Sequence, residues 1–399
     1  MSLTTLYDEL SSGLEQGNFD FILKELHQTG FEKCRLKFQQ NPLFYEALNQ
    51  LYIRQKYRGK IKPLIERYKG WIFPHGISLQ QSSHPFTAKL KSSLAVKYHT
   101  VIDLTGGLGM DSWAFANAGK KVIYVEKNSD IFRFAEYNFG KYLPNVECHN
   151  EEALTWLEKN GKSYTRALVY ADPARRDTAG NKVFLFHHYQ PEPKAILKQC
   201  RDLQLDLMLK LSPMADIQYI WKELDSNSKV LVLGVEQELK ELVLLYQPQT
   251  QQKYIEIWLC SEEPELMFSG TTTQKAEVPL VDSPEKYVYI PHPALCKIHA
   301  DTHLAGVHHL RAFHPLAKIY TAEQAYPLKG WRVFETITST TRLKDISVKE
   351  AMIVTGIFPQ NASEIRKKHK FNESDITLLV ATKTYKNKNL WILAKKIAL

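Results

Sequence analysis

Three glycines and two carboxylates lie close together around two apolar runs. Gly106, Gly107 and Gly109 follow an apolar run that ends in Asp103, and Glu126 ends the next run, 17 residues beyond Gly109. A glycine-rich turn after a strand lets a ligand lie against bare backbone at the carboxyl edge of a sheet. The spacing therefore predicts a cofactor site at this turn.

The residues around the turn favour a ligand with a positive end. A dinucleotide site needs G-x-G-x-x-G/A, and Ser112 stands at the third position here. Asp103 would repel a phosphate, whereas its charge suits the ammonium and sulfonium groups of S-adenosylmethionine. Glu126 follows the second strand, where a carboxylate can accept both hydroxyls of a ribose.

The stretch "VIDLTGGLGMD" with "VIYVE" resembles motif I and its successor in the class I S-adenosylmethionine-dependent methyltransferases, over roughly residues 98–260. The resemblance implies that Thr105, Asp111 and Lys127 join the cofactor-binding set. It also implies that an acid after the third strand contacts the adenine, with Glu152 as the first candidate and Asn150 as the second. A charge at a helix N-terminus is the alternative for Glu152.

The fourth strand ends in "YADPARRD", where many amine methyltransferases of this class carry Asp/Asn-Pro-Pro and an aromatic residue. An aspartate and the next carbonyl can accept both N–H groups of a base amine, which turns its lone pair towards the methyl group. Asp172 and Pro173 are the predicted catalytic residues. Ala174 departs from the pattern, and Arg175 and Arg176 could bind a phosphate or only close a turn.

Two further polar groups are placed near the same site by their position in the sequence. The fifth strand ends in Lys210, Ser212 and Pro213, and this position alone would let them line the acceptor pocket. The segment before the first strand would enter the domain on the cofactor side if the helical region packs there, and its polar residues are Gln81, Ser82, Ser83, Thr87 and Lys91.

Hydrophobic periodicity predicts an α/β protein with three kinds of region. Apolar residues at three- and four-residue spacings predict a helical N-terminal region over residues 1–95. Seven short apolar strands alternating with helices predict a doubly wound, Rossmann-like methyltransferase domain over residues 96–265. The remainder is predicted to be α+β with one or two small sheets, and we divide it into the ranges 275–330 and 331–399.

Charge indicates an anionic partner. The net charge is +9, and residues 280–399 hold 18 Lys/Arg against 10 Asp/Glu. A second basic stretch, residues 54–69, has seven basic residues and one acid. Basic clusters in both flanking regions favour a polyanion over a merely solvated surface. Arg366, Lys367 and Lys368 are the predicted contacts on a C-terminal helix.

Cysteine usage and hydropathy exclude several classes of protein. The five cysteines are far apart and include no C-x-x-C, which argues against a disulfide framework or zinc site and for the cytoplasm. The adjacent histidine pairs 187–188 and 308–309 have no third ligand at a recognisable spacing, so we expect no metal. No apolar run reaches the length of a membrane span.

The arrangement of the whole chain resembles a bacterial methyltransferase family with a helical N-terminus and a C-terminal THUMP-like domain. The segments "YIPHPALCK", "FPQNASEIRKKHKF" and "ITLLVATKT" carry this resemblance. It implies a small ferredoxin-like domain at 275–330 and a THUMP-like domain at 331–399, a type of RNA-binding module found in several tRNA-modifying enzymes. The core segments "TGGLGMD" and "DPARR" are also similar to those of guanine-N2 methyltransferases that act on RNA caps. Together these resemblances imply an enzyme that methylates a base of RNA, with tRNA or rRNA as candidates and a purine exocyclic amine favoured. The alternatives are a small-molecule or protein methyltransferase and a non-catalytic RNA-binding protein that retains the cofactor pocket.

Overall fold

The computed structural model describes residues 2–74, 78–175, 186, 189–224, 227–249, 252–271 and 276–397. The chain divides into two compact units. The first comprises Met1–Ser228 with Val243–Gln251, and the second comprises Lys229–Leu242 with Gln252–Leu399.

The first unit begins with the helical region that the periodicity predicts, and its described residues form seven helices. Ser2 and Asn41 cap the first and fourth helices by accepting backbone N–H bonds, which fixes where these helices start. The apolar faces of the first four helices pack together around Leu10, Ile22 and Leu48. The helices are α1 (Leu3–Gln16), α2 (Asp20–Thr29), α3 (Phe31–Phe38), α4 (Pro42–Lys56), α5 (Arg58–Arg67), α6 (Ser78–Gln81) and α7 (Pro85–Leu94).

Strands and helices then alternate. The elements are β1 (Thr100–Asp103), α8 (Met110–Asn117), β2 (Lys121–Val125), α9 (Ser129–Tyr142), β3 (Val146–His149), α10 (Ala153–Asn160), β4 (Leu168–Ala171), β5 (Ala174–Arg175), β6 (Tyr189–Gln190), α11 (Pro193–Asp202), β7 (Asp206–Leu211) and α12 (Ile217–Glu223). Five strands pair in parallel in the order β7-β4-β1-β2-β3. β4 is buried throughout, as strands covered by helices on both faces must be. The carboxyl ends of β1, β2, β4 and β7 therefore share one edge.

The second unit contains the last two of the seven predicted strands. They are β8 (Lys229–Val235) and β10 (Tyr254–Leu259), which pair in parallel. Two further strands were not predicted individually: β9 (Glu238–Tyr246), whose residues are divided between the units, and β11 (Glu265–Gly270). β11 pairs antiparallel with β10, so the polar stretch after residue 260 forms a hairpin.

The remaining elements form a second sheet. They are β12 (Tyr287–Pro291), α13 (Pro293–Cys296), α14 (Ala300–Val307), β13 (Arg311–Ala312), β14 (Tyr320–Ala322), β15 (Trp331–Thr340), β16 (Met352–Thr355), α15 (Ala362–His369), β17 (Thr377–Lys383) and β18 (Asn389–Lys396). The strand order is β13-β14-β12-β15-β18-β17-β16. One sheet thus joins strands from both predicted C-terminal ranges.

Each face of this sheet has its own apolar core. Alternate residues of β17 point to opposite faces, so Leu378 and Val380 pack in one cluster while Leu379 and Ala381 pack in the other. Within the described part of the chain, no helix combines the length and apolar character that crossing a bilayer requires.

Candidate active site

The three glycines of the turn after β1 answer to different physical needs. A Cβ at Gly106 would stand 2.1 Å from Cε2 of Tyr124, and one at Gly109 would stand 2.5 Å from Cζ of Phe139. Those two glycines let the turn pack tightly against β2 and α9. Gly107 has φ +52° and would meet only a carbonyl oxygen at 3.7 Å. Only at Gly107 does the missing side chain leave open space for a ligand.

Asp103 is held inside the turn. Its side chain is 1% exposed, and its carboxylate accepts hydrogen bonds from Ser112 Oγ (2.6 Å) and the Thr105 N–H (3.2 Å). Burial raises the pKa of Asp103 to about 7 even though the Ser112 hydrogen bond opposes this rise. The residue that breaks the dinucleotide pattern, Ser112, is therefore the partner of the first carboxylate. Sequence reasoning had assigned it no role.

Glu126 lies against the open glycine. Its carboxylate accepts hydrogen bonds from the N–H groups of Gly107 (2.9 Å) and Asn128 (2.7 Å). Asn150 donates a hydrogen bond to the Glu126 carbonyl oxygen at 2.7 Å. The structure thus brings the predicted carboxylate to the predicted turn, with Asn150 beside it, while Lys127 is exposed.

Glu152, the first candidate for the adenine side, caps α10. Its carboxylate accepts hydrogen bonds from the N–H and Oγ1 of Thr155, at 2.9 and 3.2 Å. This is the helix-terminal role that the sequence left open, and it engages one of the two oxygens of Glu152. Asn150 lies closer to the loop through its bond to Glu126.

Asp172 stands at the end of β4, next to the turn. Its backbone N–H donates to Thr105 Oγ1 at 2.6 Å, which ties the "DPARR" segment to the glycine turn. Its carboxylate pairs with Lys210 Nζ at 2.5 Å. Ala171 and Leu209 are partners in the β4–β7 register, so Asp172 and Lys210 emerge side by side.

The ion pair is only partly accessible. The side chain of Lys210 is 12% exposed and that of Asp172 is 32% exposed. Burial raises the pKa of Asp172, and the Lys210 charge opposes that rise without cancelling it. Asp172 therefore presents a carboxylate edge to solvent while a neighbouring cation holds its other edge.

The arginines after Pro173 are described only in part. Ala174 and Arg175 form β5 and pair with Gln190 and Tyr189 of β6. The side chain of Arg175, all of Arg176 and the histidine pair 187–188 lie outside the described residues. Among the residues that the structure does describe, no cluster of His, Cys, Asp or Glu could hold a metal ion.

Asp111, predicted to bind the cofactor, forms a buried ion pair. Its carboxylate lies 2.7 Å from Nζ of Lys91, a side chain with no exposed surface. Ser83 and Tyr170 donate hydrogen bonds to the same carboxylate, both at 2.6 Å. Ser83 and Lys91 are two of the five polar residues named in the segment before β1, whereas the sequence gave no sign of Tyr170 as a partner.

The basic residues of the flanking regions divide into inward and outward groups. On α15, Lys367 and Lys368 are exposed, whereas Arg366 is half-buried and donates to the Ala351 carbonyl oxygen. In the first basic stretch, Arg54 donates to two backbone carbonyl oxygens, and burial lowers its pKa to about 10. Lys60 likewise donates to the carbonyl oxygens of residues 80 and 82. That stretch is therefore less available to a polyanion than its charge indicates.

Comparison with known proteins adds one match over nearly the whole chain. No family model matches the sequence, and no curated protein matches it. The crystal structure named "putative methyltransferase from Porphyromonas gingivalis W83" is 26% identical, with a TM-score of 0.75 over 89% of this chain and 91% of that one. A SAM-dependent methyltransferase from Agrobacterium tumefaciens is 18% identical, with a TM-score of 0.31 over 46% of this chain and 64% of that one.

The fold, the site and the whole-chain match agree on the class of enzyme. The chain is a methyltransferase that shares the mixed α/β fold of the whole-chain match. The residues present fit S-adenosylmethionine, the cofactor that the sequence predicts, because the open face of Gly107 lies against the Glu126 carboxylate.

Proposed function

We propose that the protein methylates a base of an RNA, with a purine exocyclic amine as the favoured acceptor. The observation that carries this proposal is the position of Asp172 at the end of β4, tied by its N–H to Thr105 of the glycine turn. A carboxylate there stands beside the cofactor turn, where an acceptor amine must approach the methyl group.

The chemistry asked of the chain is mainly positioning. When bound, S-adenosylmethionine supplies an electrophilic methyl group. Asp172 and the Pro173 carbonyl would accept the two N–H groups of the amine, which aims its lone pair at that methyl carbon. As the nitrogen bonds to the methyl carbon, the bond between that carbon and the cofactor sulfur would break, and its electron pair would stay on the sulfur, which leaves as a neutral thioether. The nitrogen would become cationic and acidic, so its extra proton can pass to the Asp172 carboxylate or to water. Lys210 keeps that carboxylate oriented.

The cofactor assignments are proposed residue by residue. Glu126 would accept the ribose hydroxyls, Asp103 would contribute its charge from below the turn, and Asn150 would take the adenine side in preference to Glu152. Thr105, Gly106 and Gly109 shape the turn. Asp111 supports it through Lys91 and does not contact the cofactor.

The proposed RNA partner rests on charge in the C-terminal region. Lys367 and Lys368 are exposed in the last turn of α15, and Lys388 is exposed in the β17–β18 turn. We propose that this region positions the RNA and is THUMP-like, in a cytoplasmic enzyme whose methyltransferase domain spans residues 96–265. Basic side chains near a helix C-terminus also stabilise the helix dipole, which is the competing explanation.

A small-molecule or protein substrate is the second candidate. The inward-facing Arg54 and Lys60 favour it, because they remove two charges from one of the two basic clusters.

Two experiments test the proposal. Asp172→Ala should keep cofactor affinity and lose at least about 100-fold in methyl transfer to RNA from cells lacking the gene, whereas Asp202→Asn, an exposed carboxylate of the same unit, should change neither. Equal loss of cofactor binding would place Asp172 in the cofactor site. Mass spectrometry of nucleosides from cells with and without the gene identifies the product, and an unchanged nucleoside profile would favour the second candidate.

The RNA surface is tested in the full-length chain. Lys367→Ala with Lys368→Ala should weaken RNA binding and lower the salt slope by about 0.7–0.9 for each phosphate that the protein no longer neutralises. Lys24→Ala with Lys33→Ala removes the same charge from exposed positions of the N-terminal helices and serves as the matched control. Equal effects of the two pairs would show only a non-specific charge effect.

A further inference from the structure

A buried polar network lies beneath the active site. Lys91 Nζ contacts Asp111 at 2.7 Å, Ser83 Oγ at 3.0 Å and Tyr170 OH at 3.2 Å. Ser83 and Tyr170 each donate a 2.6 Å hydrogen bond to Asp111. The Lys91 side chain has no exposed surface and Asp111 is 9% exposed, so water cannot replace these contacts.

The network joins three elements that build the site. Lys91 comes from α7, ahead of the first strand, and Ser83 lies just before that helix. Asp111 is in the first turn of α8, directly after the glycine turn. Tyr170 is on β4, two residues before Asp172. The N-terminal helical segment is thereby bonded to both the cofactor turn and the acceptor strand.

Stability is a weak explanation for such an arrangement. Burying two charges costs hydration free energy that is about as large as the gain from their mutual attraction. A protein with apolar residues of similar volume at these positions is therefore often equally stable. A network of this energetic cost lies next to the carboxylates of Asp103 and Asp172. Its effect on the protonation of these two groups is the better explanation.

The groups facing Asp172 alternate in sign. Burial raises the pKa of Asp172, Lys210 on β7 lowers it, Asp111 on α8 raises it and Lys91 on α7 lowers it. Asp103 on β1 faces both Asp111 and Asp172, and each of those carboxylates raises its pKa. Removing the Lys91 charge would leave three carboxylates sharing one nearby lysine.

We propose that Lys91 is a positioning residue for methyl transfer, which neutralises Asp111 and keeps Asp172 ionised while holding the glycine turn and β4 in register. The inference deepens the proposed role of Asp172 as the acceptor carboxylate. It also makes the helical N-terminal segment an integral part of the catalytic unit.

The test follows the Asp172 carboxyl directly, so it needs no RNA substrate. Carbon-13 NMR of the aspartate side chains, assigned with Asp172→Asn, gives the Asp172 titration curve in the full-length protein. Lys91→Met should move that curve to higher pH by about half a unit or more, a threefold change in the protonation ratio. Lys97→Met removes an exposed lysine that pairs with Asp206 and should leave the curve in place.

A second variant keeps the test valid if Lys91→Met fails to fold. Lys91→Met with Asp111→Asn removes both charges, so the Asp172 curve should return to the wild-type position, and the variant should fold because no lone charge is buried. A double variant that folds with the Asp172 curve still displaced would overturn the inference, as would an unshifted curve in a folded Lys91→Met protein.

Failure of the proposed function gives a different pattern. If Asp172 titrates as expected but Asp172→Ala keeps full methyl transfer, Lys91 still controls a carboxylate that the reaction does not use. If the Asp172 titration curve is unchanged in Lys91→Met while Asp172→Ala is inactive, the proposed role of Asp172 is supported and the positioning role of Lys91 is contradicted.

Discussion

We expect the Gly107→Ala variant to fold normally and to lose affinity for S-adenosylmethionine. A Cβ at Gly107 meets only the Thr105 carbonyl oxygen, at 3.7 Å, so the substitution causes no steric clash within the described structure. Its cost arises from the left-handed backbone at φ +52°, which is about 1–2 kcal/mol for a residue with a side chain. The same methyl group would occupy the space left for the cofactor.

Gly119→Ala is the matched control. Gly119 has φ +79° and nothing within 4 Å of an added Cβ, and it follows the other end of α8. Both variants should therefore lose about 1–2 kcal/mol in the free energy of unfolding, measured with urea. Only Gly107→Ala should lose cofactor affinity in calorimetry, by at least about tenfold, which corresponds to about 1.4 kcal/mol.

Gly106→Ala extends the comparison to a glycine with a packing role. Its Cβ would lie 2.1 Å from the Tyr124 ring, so strand β2 or the turn must move, at a cost of about 1–3 kcal/mol. The reasoning would be refuted if Gly107→Ala bound the cofactor as tightly as Gly119→Ala does. It would also be refuted if Gly106→Ala were as stable as the wild type.

Two predictions concern pH. The pKa of Asp103 is about 7 in the folded protein and lower in the unfolded chain, so the folded state binds the proton more tightly. The free energy of unfolding of the apoprotein should therefore fall as pH rises from about 4 to 7. Asp103→Asn should remove this pH dependence in urea unfolding, and its persistence in that variant would contradict the assignment. Lys210→Met removes the cation that lowers the pKa of Asp172. The acid limb of the pH–rate profile for methyl transfer should therefore move to higher pH by about 1–3 units, whereas Lys210→Arg should leave it in place. An unshifted limb in Lys210→Met would show that Asp172 need not be ionised.

Many of the helices and strands could be predicted because they follow from the periodicity of apolar residues along the chain. The seven predicted strands all form, since strand and helix periodicities depend on neighbouring residues alone. β9 was missed because three of its first four residues are charged, before the apolar run "LVLL" begins. The glycine turn was equally visible, because Asp103 and Glu126 stand at strand ends with the three glycines between them.

The partners of the site residues depended on tertiary structure. Asp172 and Lys210 lie 38 residues apart and meet only because β4 and β7 are neighbours in the sheet. The Lys91–Asp111 pair depends on how α7 packs beside α8, and Glu152 on where α10 begins. Sequence chemistry determined which groups could react, and long-range packing decided which charge each group faces, because Coulomb interactions and desolvation depend on distance and burial in space.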